Sequence, residues 1–425
     1  MTHNEQLIER HYQEAFTNVI HNMDELAPRG EDEFWSRFVQ QYWEKSSIVL
    51  SGKETDVFPK ISPEELFTAV CACAESFLAG DEQKVRFYVD GDQVDVLGGG
   101  HGDLLPKLSD GSFEEYNYRM TEQCELRNYA LVMADWHQFS NPLWRRIVNT
   151  VDALARYVGI SASRMDTQVF LGTYNQTPFG VHVDDASAFH FPVIGKKRMR
   201  FWEDSFVRQT PSLRQAQRYE QFLAESVINE ATPGEIIYWP SHYWHVGESR
   251  GEFAVTWRFA YWIADAMRRR VMVHAADVYE KLRPTPLISM PPTPLRCDRI
   301  PAVEQVLEDA AIAAQSLELR RRVTATWLEQ CSAFGFLRVP ARELQGANSD
   351  RLRLQHPFRL YAARVNDNCL CVSAAGSSLF IAESTETAEL VDLLNSGAEI
   401  ALDRLRVADN ELAEFCLKSG AFEFA

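Results

Sequence analysis

Hydrophobic positions along the chain change period at the places where the architecture is expected to change. Residues 5–27 and 32–45 predict helices. The second sets Phe34, Phe38, Tyr42 and Trp43 near helical spacing behind Asp32. Helical spacing continues over 63–79 after Ser62-Pro63. From Lys84 the period becomes two: Val85, Phe87 and Val89 alternate with polar residues before the Gly98–Gly102 run, which reads as a hairpin or a lip. A helix opened by Asn141-Pro142 follows to residue 157. Strands are then predicted at about 167–174, 187–193, 197–203, 234–239 and 253–262, with a polar helical insertion at 211–228. A Pro-rich passage over 283–294 marks a linker. Beyond it the pattern predicts helices at 301–314 and 317–334, paired strands at 358–364 and 368–373, and short helices near 385–396 and 409–419.

These elements define an α+β chain. Helices over 1–80 pack on a double-stranded β-helix (cupin, or jelly-roll) core over 81–265. A helical and Pro-rich linker over 266–300 leads to a winged-helix-like domain over 301–425, whose helices at 301–334 are candidates for pairing two copies. At 425 residues there is ample core for this, and 46% hydrophobic with 24% charged residues is ordinary for a globular protein. No run of about 18 apolar residues occurs and the first residues are polar, so neither a membrane span nor a signal peptide is expected, and a cytoplasmic location is. The eight Cys are scattered without zinc-site spacing and read as reduced, mostly buried thiols. Net charge is −17, and residues 301–425 carry 12 Lys+Arg against 18 Asp+Glu. That balance repels a phosphate backbone and favours a basic partner, so no direct nucleic-acid ligand is expected.

Chemistry concentrates at three residues. In Gly180-Val-His182-Val-Asp184-Asp185 the His-x-Asp spacing puts an imidazole and a carboxylate on one face of an extended segment. With a distant His245, in Pro240-Ser-His-Tyr-Trp-His245, they form the pattern of a 2-His-1-carboxylate centre, which holds Fe(II) on one face and leaves positions open. Strand parity then singles out cations. Lys197, Met199 and Phe201 share one face of their strand, opposite Lys196, Arg198 and Arg200 on the expected solvent face. An inward ammonium wants a permanent anion, for which the distal carboxylate of 2-oxoglutarate is a candidate. In the last strand Ala254, Thr256, Arg258 and Ala260 share a face, and small residues around an arginine leave room for a carboxylate, so Arg258 and Thr256 join Lys197. Tyr174, Asn175 and Thr177 are further lining candidates. His242 and His190 read as packed or structural, and Asp185 as solvent-facing.

The run from His182 to Trp202 resembles the JmjC-type, cupin-fold oxygenases, most closely the ribosomal oxygenases and next the asparaginyl hydroxylases. In that family His-x-Asp is followed at a fixed interval by Gly-x-Lys, matched here by Gly195-Lys196-Lys197. Pro233-Gly-Glu235 and His245-Val-Gly-Glu248 are similar to its Pro-Gly-Asp and His-x-x-Glu pieces, and Phe38–Lys45 to its aromatic N-terminal helix. The resemblance implies metal ligation by His182, Asp184 and His245, with Lys197 on 2-oxoglutarate. It also implies hydroxylation of a peptide or protein side chain with release of succinate and CO2. Demethylation runs on the same chemistry. The chain departs from the family in the additional His242 and in Arg258, where relatives often carry a neutral residue. Two rivals stay open: a non-catalytic metal-binding cupin sensor or scaffold working through its winged-helix domain, and a small-molecule hydroxylase.

Overall fold

The computed structural model describes residues 29–82, 84–263, 266–282, 301–341 and 350–424. The helix expected at 5–27, the Pro-rich passage and Cys297 lie outside them. The described residues form two compact units divided near residue 263, with residues 162–164 grouped with the second. Among them no helix is long and apolar enough to cross a membrane.

In the first unit the chain runs α1 (Arg29–Gln41), β1 (Ile48–Leu50), α2 (Pro63–Leu78), β2 (Val85–Val89), β3 (Asp92–Val94), α3 (Phe113–Gln123), β4 (Tyr129–Ala134), α4 (Asn141–Val158) and β5 (Arg164–Gly172). Then come β6 (Ala186–Ile194), β7 (Lys197–Trp202), α5 (Asp204–Gln209), β8 (Val227–Ala231), β9 (Ile236–Trp239), β10 (Trp244–Glu248) and β11 (Ala254–Trp262). Local chemistry sets several boundaries. Ser62 starts α2 by accepting from the Glu65 amide while the Glu65 carboxylate accepts from the Ser62 amide, and Pro63 occupies the first helical position, where no donor is needed.

An eight-stranded antiparallel sheet, in the order β1-β9-β6-β11-β5-β4-β2-β3, faces a three-stranded sheet in the order β10-β7-β8. Alternate residues of both fill the space between: Ala186, Ala188, Ile237, Trp239 and Ala260 from the large sheet meet Met199, Phe201 and Ala231 from the small one. On the outer face of the large sheet the aromatic stripe of α1 packs on β6 and β9. Phe38 lies 5.5 Å from Phe189 and 4.8 Å from Tyr238 between ring centroids, and Trp35 and Phe58 complete the cluster. The double-stranded β-helix expected from the strand pattern is therefore present.

The segment 211–228 is not the helix expected of it. It forms 3-10 turns at Pro211–Leu213 and Glu220–Glu225 and then enters β8, which pairs with β7 from Lys197↔Ala231 to Phe201↔Val227. A polar segment with no apolar stripe gains nothing as a helix here, whereas the edge of β7 offers it a ladder.

The second unit has α6 (Ala266–Leu282), α7 (Pro301–Gln315), α8 (Leu317–Ser332), β12 (Arg351–Leu354), β13 (Tyr361–Asn366), β14 (Cys369–Ala374), β15 (Ser377–Ala382), α9 (Thr385–Asn395), β16 (Ile400–Ala401), α10 (Leu402–Ala408), α11 (Asn410–Ser419) and β17 (Phe422–Phe424). Val278, Ala313 and Leu319 join its first three helices, and β13–β14–β15 form a meander packed on α8 through Leu328, Val365 and Cys371. Every Cys described is a free thiol.

Candidate active site

His182 and His245 are backbone partners across the mouth of the barrel. The His182 amide donates to the His245 carbonyl at 3.0 Å and the His245 amide to the His182 carbonyl at 2.7 Å, and the two rings lie 4.3 Å apart. His245 thus sits on a strand of its own, β10, not in the loop after β9. Two residues past His182, Asp184 projects to the same side, and one ligand atom from each of the three lies within 4.8 Å of the others. The imidazoles are already oriented. His182 Nδ1 lies 2.9 Å from the Gly180 carbonyl and His245 Nδ1 2.9 Å from that of Tyr243. A carbonyl only accepts, so Nδ1 carries the proton and each Nε2 lone pair is left for a cation.

Charge at the site follows from burial and neighbours. Burial alone would raise the Asp184 carboxyl, but the Arg258 guanidinium, then His245 and His182, hold it down at about 2. Arg258 Nη1 donates to Asp184 Oδ2 at 3.3 Å, which leaves Oδ1 for a metal. Burial, then the neighbouring His182, lowers His245 to about 3, so its ring is neutral. Two oriented imidazoles and an ionised carboxylate on one face are the donor set that a divalent iron site requires.

Behind this centre the barrel holds a cation without a counter-charge. Lys197 is fully buried, its Nζ donates to Tyr174 Oη at 2.9 Å, and among the described residues no carboxylate pairs with it. Its Nζ lies 5.6 Å from the centre of the Phe170 ring, and the Arg258 guanidinium carbon lies 5.8 Å from the same ring. An aromatic face answers a buried cation only weakly. Arg258 Nε and His190 Nδ1, on residues beside the same ring, lack partners, as does Thr256 Oγ1 two residues before Arg258 on β11. Lys197 has room to lie across β10 because residue 247 is glycine; a Cβ there would stand 2.7 Å from its Nζ.

The other candidates divide. Tyr174 meets Lys197, and Thr256 is fully buried with its hydroxyl unpartnered. Asn175 is exposed, and Thr177 spends its hydroxyl on the Gly247 amide. His242 and Asp185 are exposed. His190 packs between Phe170 and Trp239, as a core histidine does, and its Nδ1 has no hydrogen-bond partner. Arg200 is not on a solvent face. It is buried and paired with Glu248 at 2.7 Å, beneath Ser226 and Tyr219 from the 211–228 segment.

Around this antiparallel barrel, with a His-x-Asp and a distant His at its mouth, residues 142–266 match the JmjC domain family model. The chain is 25% identical over 216 residues to the ribosomal protein uL16 3-hydroxylase of Escherichia coli (strain K12), covering 50% of this chain and 48% of that protein. It therefore spans about half the length of the curated relative it matches. The X-ray structure of E. coli ycfD aligns over 92% of this chain and 98% of that one, with a TM-score of 0.50 and 17% identity. A structure of YcfD described as a ribosomal oxygenase in complex with cobalt and 2-oxoglutarate aligns over the same shares with a TM-score of 0.48 and 17% identity. The resemblance read from the His182–Trp202 run is borne out.

Proposed function

We propose that this protein is an Fe(II)- and 2-oxoglutarate-dependent oxygenase that hydroxylates a side chain of a peptide or protein, with release of succinate and CO2. The observation that carries this is Lys197, a fully buried ammonium without a carboxylate partner, on the same barrel interior as the His182–Asp184–His245 centre. An unpaired buried charge costs several kcal/mol, and a fold keeps one where a ligand supplies the missing charge. Lys197 and Arg258 against Asp184 leave one net positive charge, which a divalent cation increases and a dianion such as 2-oxoglutarate offsets.

When bound, Fe(II) and 2-oxoglutarate supply oxidative decarboxylation by dioxygen, one oxygen atom going to succinate and the other into a substrate C–H bond. The chain's own residues do the rest. His182 and His245 offer Nε2 and Asp184 offers Oδ1. Lys197, with the hydroxyls of Tyr174 and Thr256, takes the distal carboxylate of the cosubstrate, and Arg258 holds Asp184 from behind. Phe170, Phe201 and Trp239 keep water from the interior.

A protein substrate is supported by the relative, which acts on a ribosomal protein. The acidic balance of residues 301–425 supports a basic one, and with such a substrate the enzyme belongs in the cytoplasm.

The deciding test is anaerobic titration of the Fe(II)-loaded protein with 2-oxoglutarate, watching for a visible metal-to-ligand charge-transfer band. We expect a band in the wild type, none in His182→Ala, and at least tenfold more cosubstrate to saturate Lys197→Ala. Iron binding without a band would end the 2-oxoglutarate reading and favour a non-catalytic cupin.

A further inference from the structure

Glu44 lies just after α1, in a turn with φ of 54°, a left-handed conformation that a non-glycine residue adopts only at a cost. What holds it there is a set of contacts to residues far away in sequence. Its amide donates to Tyr238 Oη at 2.9 Å. Its carboxylate accepts from Ser241 Oγ at 2.6 Å, from the Ser241 amide at 3.3 Å and from the Ser187 hydroxyl. Ser187 and Ser241 are both buried, and among the described residues no cation pairs with Glu44. Its carboxylate is satisfied by two hydroxyls and one amide alone, and hydrogen bonds to an ionised acceptor are the strong kind.

The two serines mark the segments that carry the site. Ser187 is on β6, three residues past Asp184. Ser241 opens the Pro240–Tyr243 turn, closed by the Tyr243 amide donating to the Pro240 carbonyl. The Tyr243 carbonyl then accepts from His245 Nδ1 and fixes which way that ring faces. One carboxylate therefore clamps together the approach to Asp184 and the turn that aims His245. We infer that Glu44 is a positioning residue for the candidate metal centre, acting from the N-terminal segment through Ser241 and Ser187. The inference rests on the reading of His182, Asp184 and His245 as ligands. Groups that hydrogen-bond a metal ligand directly, as the Tyr243 carbonyl does for His245, typically set metal affinity by about 10–100-fold. Glu44 acts one step further back, on the turn that carries that carbonyl.

The test is Co(II) titration of the full chain, followed by its visible absorption, beside the melting temperature of the metal-free protein. Glu44→Ala should weaken Co(II) binding several-fold and Glu44→Gln by less, since the amide keeps one acceptor oxygen. Ser241→Ala should reproduce most of the loss, and the double variant should fall short of the summed effects. Tyr157→Phe is the structural control. It cuts another tie of the same segment, Tyr157 Oη to the Asp32 carbonyl at 3.0 Å, and should lower the melting temperature without changing Co(II) affinity. Unchanged Co(II) affinity in Glu44→Gln and Ser241→Ala, with a lowered melting temperature, would overturn the inference and leave Glu44 a mere anchor. No Co(II) binding by the wild type would overturn the metal reading itself, and this inference with it.

Discussion

His190 shows how one buried side chain ties the pocket to solution conditions. Burial, then the nearby Lys197 and Arg258, push its imidazole well below the ordinary 6.5. The folded protein keeps it neutral while the unfolded chain protonates it below that pH. Its contribution to stability is therefore fully present above about pH 6.5 and is lost as pH falls, at up to about 1.4 kcal/mol per pH unit for one proton. His245, lowered to about 3, acts in the same direction. Replacing His190 with Phe should make stability fall less steeply between pH 6.5 and 5. Urea unfolding at both values measures it, and an equal wild-type-to-variant difference at the two would refute the assignment. At this scale the sequence was legible wherever alternation decides the environment, which is why Lys197 could be placed inward. It misplaced Arg200 because Glu248, Tyr219 and Ser226, the partners that bury it, are brought to it only by tertiary structure.

Among the elements, β10 does two jobs: it carries His245, and two residues later it gives way to Lys197 at Gly247. Because the atom a Cβ would strike there is the far end of a flexible side chain, Gly247→Ala should fold and displace the ammonium. We expect the 2-oxoglutarate concentration for half-saturation to rise about tenfold, roughly the 1.4 kcal/mol of one strained or lost contact, with Co(II) affinity little changed. An unaltered cosubstrate titration would show that Lys197 does not lie across that strand. The strands on either side, β6, β7, β9 and β11, were legible because both their residue types and their period are those of buried strands. β8 was not. Val227 and Ile228 are exposed, so nothing in its own pattern marks it, and only its pairing with β7 makes it a strand.

Across the whole molecule negative charge is shared between the first 300 residues, with 31 Lys+Arg against 42 Asp+Glu, and the 301–425 domain, with 12 against 18. In the second unit, helix α9 exposes Glu386, Glu389 and Asp392. If this unit attracts a basic substrate, neutralising the three to Gln, Gln and Asn in the full chain should raise KM for a basic peptide several-fold at low salt. The effect should fade as salt rises, with kcat unmoved. A salt-independent KM equal to that of the wild type would assign recognition to the barrel instead.

The mutual amide bonds of His182 and His245 carry one more consequence. A cation held by both rings would close a loop whose other side is that pair of backbone bonds, and would fasten the barrel as well as serve its chemistry. Opening the mouth then requires releasing ion and ladder together, and the two amides should share one hydrogen-exchange rate that slows when the metal arrives.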